Sequence, residues 1–488
     1  MLTRFRDDRT ASALLALGGG FQVSGVLYVV AHFDRLVPRL MPDDAFYYLK
    51  IAENISGGFG SVFSVGDPTN GYHPLWMVVL LLIRLLAHPT QGGFVFLVLL
   101  VSVALNVIAA AFFARWLRLL GLSPTQQRFG IVLYLFNPWL VNLTLTGLET
   151  PLFLCCLFVF LMAHHGVMAE GEMDWRSAVF FGTTAGLLML ARTDSIFFTI
   201  PAFAAAAFVQ RRRIRDVSAA AAISLVIVAP WLAWNLLQFG TIVQSSASAM
   251  SGLAHHDLPP AATIEYWSEA AKLARNVLMW LAVAPLWPHP RHVVEGFRGI
   301  TLLMVVATAA LGLVLWHKSV RGRLAVPFIL YGPALGLLFF YVAVRAFMQV
   351  WHVSTLVVLA LVLMVNYVPQ SLRTRSAVIT ALCLSPLCWY TITNGYFFPQ
   401  AVVIGSISRL QRYRIDAPPS FTSCATDAGL LGYFSTHTVV NVDGVVNNRA
   451  ADSILAGRLS EYMAARGCDE VLMDPDRSRY YDRNVRLR

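Results

Sequence analysis

Charge is scarce in this sequence. Only 13% of its 488 residues are Asp, Glu, Lys or Arg, against roughly 25% in a soluble globular protein. That deficit excludes an ordinary soluble enzyme and a disordered chain. The charge that remains leans basic, 37 Lys and Arg against 27 Asp and Glu, for a formal +10. No basic run is interleaved with stacking aromatics on a polar face, so nucleic acid is not the implied partner. Cysteine is also sparse, at six residues. Cys155, Cys156, Cys383 and Cys388 sit in apolar runs and read as small hydrophobes. Cys424 and Cys468 lie in a polar tail, where they could pair only in an oxidising compartment. No Cys-x-x-Cys spacing points to a metal, and no internal repeat is evident. Apolar residues are abundant instead, at 57%.

The apolar residues are grouped. Runs over 11–32, 93–114, 129–146, 149–166, 177–191, 195–209, 217–237, 299–316, 325–344, 350–368 and 375–393 predict about eleven transmembrane helices. The first follows three Arg in Met1–Thr10 and is long enough to span, so it reads as an uncleaved helix rather than a signal peptide. Links rich in Arg and Lys (4–9, 115–128, 211–215, 318–323, 373–375) alternate with weakly charged ones. The basic set belongs in the cytoplasm. The links 33–91, 147–149, 192–194, 238–298, 345–349 and everything after about 394 then face outward. A cytoplasmic N-terminus and an external tail agree with an odd number of crossings.

Pro74 to His88 is too short to cross comfortably and contains Arg84, so it is expected to lie as a helix at the outer interface with Arg84 reaching water. The alternative is a short true span, which would invert the parity. Residues 238–298 look like a partly ordered lid with an interfacial helix near Val277–Leu286. The tail, 394–488, changes composition. Thr422–Thr426, Thr438–Val442 and Glu470–Met473 read as strands, Ile454–Arg466 as a helix, with turn signals at Asp427–Gly429 and Asp443-Gly444. This predicts a small external α/β domain behind a membrane domain of residues 1–393.

The first external link opens Pro42-Asp43-Asp44-Ala45-Phe46-Tyr47-Tyr48-Leu49-Lys50. One Asp is accounted for by helix capping; two, followed by an aromatic stretch at the lipid boundary, fit a general base and its support. Successive helical residues diverge by about 100°, so the two carboxylates face different ways, and Asp43, Tyr47, Lys50 and Asn54 share a face. The link continues Thr69-Asn70-Gly71-Tyr72-His73-Pro74-Leu75-Trp76, where His73 reads either as a phosphate contact or, with Tyr72 and Trp76, as part of an aromatic interfacial belt.

The ordered set resembles the GT-C fold glycosyltransferases: the Asp43-Asp44 segment, the glycines Gly57, Gly58 and Gly60, the Thr69–Trp76 segment, Gly147-Leu148-Glu149-Thr150-Pro151, and Ala191-Arg192-Thr193-Asp194. The layout resembles aminoarabinose transferases. The acidic pair and exported tail resemble the mycobacterial terminal arabinofuranosyltransferase group, although the Thr69–Trp76 segment departs from the arabinosyl form. The motifs cover about residues 1–240. The resemblance implies an α-helical polytopic membrane enzyme with a small extracytoplasmic α/β domain, in the bacterial cytoplasmic membrane. It would move a sugar, arabinofuranose in the closer likeness, from a polyprenyl-phosphate carrier to an exported glycan or protein acceptor.

Such a donor already carries a good leaving group. The chemistry needs a base for the acceptor hydroxyl and cations for the departing phosphate. Asp43 and Asp44 are the candidate bases, with position in the motif favouring Asp43. Arg192, His73, Arg345, Lys50 and His352 are the candidate phosphate contacts. Arg192 could instead pair with Asp194, and Arg345 could simply snorkel. Glu149, Tyr47, Tyr72, Asn70, Trp76 and Asp194 are candidates for acceptor binding or support, with capping before Pro151 as the alternative for Glu149. His255-His256-Asp257 is a poor metal site, because sequence neighbours rarely converge on one ion. The acidic pair could hold a divalent cation, and no cofactor is demanded. Asp427, Asp443 and Asn447 fall at strand ends in the tail, where they serve as turn residues or bind a ligand. A lipid-linked-sugar transporter or flippase is the competing function. It is disfavoured because the charges lie at span ends rather than near the mid-membrane.

Overall fold

The computed structural model describes residues 8–169, 173–255, 263–268, 349–366, 368–394 and 420–473, with a few isolated positions between. The apolar runs form helices. Among the described residues five are long and apolar enough to cross a membrane: α1 (Arg9–Ala31), α5 (Gln91–Leu119), α8 (Thr150–Ala169), α11 (Ile214–Phe239) and Thr374–Asn394. Between them lie α2 (Phe33–Leu40), α3 (Asp43–Ser56), α4 (Pro74–Ala87), α6 (Pro124–Leu135), α7 (Pro138–Thr144), α9 (Trp175–Ala191), α10 (Ile196–Val209) and, after α11, α12 (Ser245–His255). The helix Ser354–Asn366 is a further short apolar one. The expected spans 299–316 and 325–344, and the interfacial helix near 277–286, lie outside the described residues.

One expected span is two helices. α6 ends at Leu135; Asn137 caps α7, accepting the Leu140 N–H at 3.0 Å, and Pro138 takes the first position of α7. A capping Asn followed by Pro restarts a helix rather than continuing one. The continuous apolar run 129–146 masked that break.

The membrane helices pack by small residues and polar contacts, the means available where lipid is as apolar as the side chains. A Cβ on Gly182 of α9 would fall 2.3 Å from the carbonyl oxygen of Ala220 in α11, and one on Gly186 would fall 2.8 Å from Ile227. The two helices therefore approach backbone to backbone. In the other half, Gln22 of α1 donates to the Leu135 carbonyl at 2.8 Å and accepts from Asn106 of α5 at 3.1 Å. The rings of Phe113, Trp116, Tyr134 and Phe158 fill the space among α5, α6 and α8.

The tail contains a three-stranded parallel sheet, order β2-β1-β3, from β1 (Thr422–Ala425), β2 (Thr438–Asn441) and β3 (Glu470–Leu472). Each strand falls inside its expected stretch. The expected helix Ile454–Arg466 is two, Asn448–Leu455 and Leu459–Ala465, separated at Gly457, whose φ is +67°. Cys424 and Cys468 form a disulfide across a separation of 44 residues, against a small core of Val440, Val442, Ile454, Leu459 and Met463.

The sheet rests on the first polar link. Ser64 donates to the Val439 carbonyl at 2.9 Å, and Gln91 donates to the Tyr433 carbonyl at 2.6 Å. Buried Asp67 faces Arg466 at 3.1 Å.

Candidate active site

The site begins at the head of α3, where Pro42 precedes Asp43 and Asp44 in the first turn. Asp43 is buried, and both of its carboxylate oxygens are engaged. Oδ2 accepts the N–H of Gly429 at 2.6 Å and Oδ1 that of Leu430 at 2.8 Å, both from the tail. Burial and then Asp427 push its carboxyl up, with the two N–H bonds opposing. Asp44 is half-buried and makes no side-chain hydrogen bond or ion pair among the described residues. Burial, then Asp43, Asp427, Asp443 and Glu149, push its carboxyl up to about 8.

A second group assembles from α4, α8, α9 and the segment before Ser354. Arg192 ends α9 in extended backbone and is only 1% exposed. Its guanidinium grips the Asp194 carboxylate through Nε at 3.2 Å and through Nη2, and donates from Nη1 to the Trp351 carbonyl at 3.1 Å. Glu149, at the head of α8, lies 3.9 Å from Arg192 and 3.8 Å from His73 Nε2. The Phe153 ring lies 4.8 Å under the guanidinium carbon. Burial alone raises Asp194, but Arg192, followed by His352 and His73, outweighs it and holds the carboxyl below its ordinary value. His73 is pushed down by burial, with Glu149 opposing. His352, pushed down to about 3 by burial and then by Arg192, accepts the Gln349 N–H at Nδ1 over 2.9 Å. Both shifts favour the neutral imidazole, so the two rings can act as hydrogen-bonding groups beside the Arg192 cation.

The structure brings together Arg192, Asp194, Glu149, His73 and His352, with the acidic pair close enough that Glu149 acts on Asp44. The ion pair weighed as an alternative for Arg192 is present. Other candidates stand elsewhere. Lys50 pairs with Glu53 at 3.3 Å, where Arg84 also binds at 3.4 Å. Arg84, expected to reach water, is part-buried and also donates to the Pro89 carbonyl. Both cations share the one acid, Glu53. Asn70 ties the link to Val243, Ser245 and Asn448. The Tyr72 hydroxyl meets Ser61 at 2.8 Å. Trp76 donates to the Gly147 carbonyl at 3.2 Å, where Gly147 has φ +73°. Tyr47 turns to the tail. Arg345, His256 and Asp257 lie outside the described residues. Among the described residues no three His, Cys, Asp or Glu converge as a metal site.

Two contributors escaped sequence reasoning. The Trp351 carbonyl carries no side-chain signal at all. The tail amides of residues 427–430 had one in the Asp427-Ala428-Gly429 turn, but nothing in the sequence says what a turn touches.

No family model matches the sequence, and no curated protein matches it significantly. Solved structures do resemble it. ArnT from Cupriavidus metallidurans in the apo state aligns over 91% of this chain and 90% of its own, with TM-score 0.54 and 10% identity. The same protein bound to undecaprenyl phosphate aligns over 93% of each chain, with TM-score 0.54 and 11% identity. The archaeal oligosaccharyltransferase AglB from Archaeoglobus fulgidus, in complex with an inhibitory peptide and a dolichol-phosphate, aligns over 99% of this chain and 71% of its own, with TM-score 0.48 and 11% identity. At these identities the likeness speaks to architecture: the chain has the polytopic GT-C fold, with a small α/β tail.

Proposed function

We propose that this chain is an inverting glycosyltransferase that takes a sugar from a polyprenyl-phosphate carrier and transfers it to an exported glycan or protein. The observation that carries the reading is that, within a GT-C fold, Asp44, which has no hydrogen-bond partner among the described residues, feels Glu149, itself 3.9 Å from the buried Arg192. The bound undecaprenyl phosphate of the second ArnT structure supports a lipid-phosphate donor. Arabinofuranose is the sugar proposed, on the motif likeness of the acidic pair and exported tail. The Cys424–Cys468 disulfide supports an oxidising compartment for the tail, hence the outer face of the bacterial cytoplasmic membrane with a cytoplasmic N-terminus.

In the reaction the acceptor hydroxyl oxygen attacks the anomeric carbon. The bond from that carbon to the phosphate oxygen breaks, and the configuration inverts. Asp44 takes the hydroxyl proton, and polyprenyl phosphate leaves as an anion. Arg192 stabilises the charge that develops on it, with neutral His73 and His352 donating hydrogen bonds beside it and Glu149 holding His73 and the acceptor side. Asp194 fixes the guanidinium plane. Asp43 has another role in this scheme, since two tail amides tie its carboxylate to the tail and favour its charged form.

The test is turnover of a panel of polyprenyl-phosphate sugars, decaprenyl-phosphate arabinofuranose first, by the full chain in lipid nanodiscs with cell-envelope glycan as acceptor. Release of free polyprenyl phosphate coupled to sugar transfer supports the reading. A donor panel that stays intact, or translocation of the intact donor in vesicles, sinks it.

A further inference from the structure

Asp43 and Tyr47 lie one turn apart on α3, on the face that meets the tail. Across that face runs a short stretch of tail in which four consecutive backbone amides find partners. The Asp427 N–H donates to Asp443 at 3.0 Å, that of Ala428 to the Tyr47 hydroxyl at 2.8 Å, and those of Gly429 and Leu430 to Asp43. The Tyr47 hydroxyl also accepts from Asn441 at 2.9 Å and donates to Asp443 at 3.3 Å. The fit is close: a Cβ on Gly429 would fall 2.1 Å from the Asp43 carbonyl oxygen. Asp427 and Asp443 follow β1 and β2, so the carboxyl edge of the parallel sheet abuts the helix that carries Asp44.

We propose that Asp43 is a positioning residue: with Tyr47 it clamps the carboxyl edge of the tail sheet onto α3, and this clamp sets where Asp44 stands and places Asp427 and Asp443 beside it. The proposal rests on the transferase reading for the role of Asp44, but the clamp itself does not. Two buried N–H bonds favour the charged form of Asp43 and weaken when it takes a proton from an acceptor. Its neighbour, about 100° around the helix, pays no such cost. The charged groups acting on Asp44 are Asp43 on its own helix, Asp427 and Asp443 on the tail and Glu149 on α8, with Arg192 beyond Glu149.

The test compares Asp43→Ala with Gly429→Ala, which forces the same contact apart from the tail side and leaves every carboxylate in the chain. The full-length variants, in nanodiscs, are read by hydrogen exchange over residues 427–434 and by turnover of decaprenyl-phosphate arabinofuranose. Each single substitution is expected to speed exchange of these amides about tenfold or more and to lower kcat about 10- to 100-fold with little change in donor KM. The double variant is expected to be no worse than either single, since both act on one contact. In Gly429→Ala the acid limb of the kcat profile moves to lower pH, because Asp427 and Asp443 draw away from Asp44. Loosened amides with wild-type turnover in Gly429→Ala would overturn the proposal. So would loss of turnover in Asp43→Ala with the amides still protected. If the wild type turns over no donor, the transferase reading fails, and exchange still decides whether the clamp exists.

Discussion

The guanidinium of Arg192 donates to the backbone carbonyl of Trp351 across 3.1 Å, joining positions 159 residues apart. The same side chain is bidentate on Asp194 and within 4 Å of Glu149. One buried cation thus holds two carboxylates and a distant stretch of backbone in a fixed arrangement.

Removing it has two separable effects. Arg192→Ala strands Asp194 and Glu149, and breaking a buried pair costs about 3–5 kcal/mol, so the melting temperature falls. Arg192→Lys keeps the charge but loses the fork. Its stability stays closer to wild type, while kcat for the polyprenyl-phosphate donor drops. Melting curves alongside steady-state kinetics check both; a Lys variant with wild-type kcat would remove Arg192 from phosphate stabilisation.

Asp44→Asn is expected to lower kcat by about 10²–10⁴ while leaving the melting temperature near that of wild type, since the carboxylate makes no hydrogen bond among the described residues. Turnover at the wild-type rate in a folded Asp44→Asn would place the base elsewhere.

Activity is expected to rise with pH through about 8. Burial and the neighbouring carboxylates raise Asp44 to about that value, so below it the group holds a proton and cannot accept one. Above it the carboxylate is free, and kcat/KM levels off. A kcat/KM profile flat from pH 5 to 9, with chemistry shown to be rate-limiting, contradicts this.

The disulfide makes a prediction about compartment and stability together. Cys424 and Cys468 isolated from native membranes should resist maleimide until reductant is added. Replacing both with Ser should cost the tail about 2–5 kcal/mol, read as a lower melting transition for the tail. Free thiols in native membranes would contradict an exported tail.

Gly182→Val should separate α9 from α11. The new Cβ would meet the Ala220 carbonyl oxygen at 2.3 Å, backbone that cannot rotate away. Loss of about 1–3 kcal/mol or more should appear as reduced thermal stability in detergent; an unchanged melting curve would mean the helices do not depend on that approach.

Local patterns made much of this architecture legible. The strands of the tail were readable because each is a short β-rich stretch bounded by a turn signal. The Arg192–Asp194 pair was readable because its members are two residues apart at a span end. Asn137-Pro138 was present in the sequence, yet the unbroken apolar run around it dominated the reading of one long helix. Lys50 shows a local signal that went unread: Glu53 lies three residues on and pairs with its ammonium. Asp43 could not be read at all in this respect, since its partners lie 386 and 387 residues away. A carboxylate waiting for backbone amides has the same sequence signature as one waiting for a substrate.

That separation also bears on biogenesis. The head of α3 leaves the ribosome long before Gly429, and the central strand β1 gains its second neighbour only with residues 470–472. Until Gly429 and Leu430 are made, α3 lacks the tail amides that the Asp43 carboxylate accepts in the folded protein. On the proposed topology, a chain arrested before residue 470 would carry Gly429 and Leu430 but lack β3, and the clamp would have to close on a two-stranded sheet.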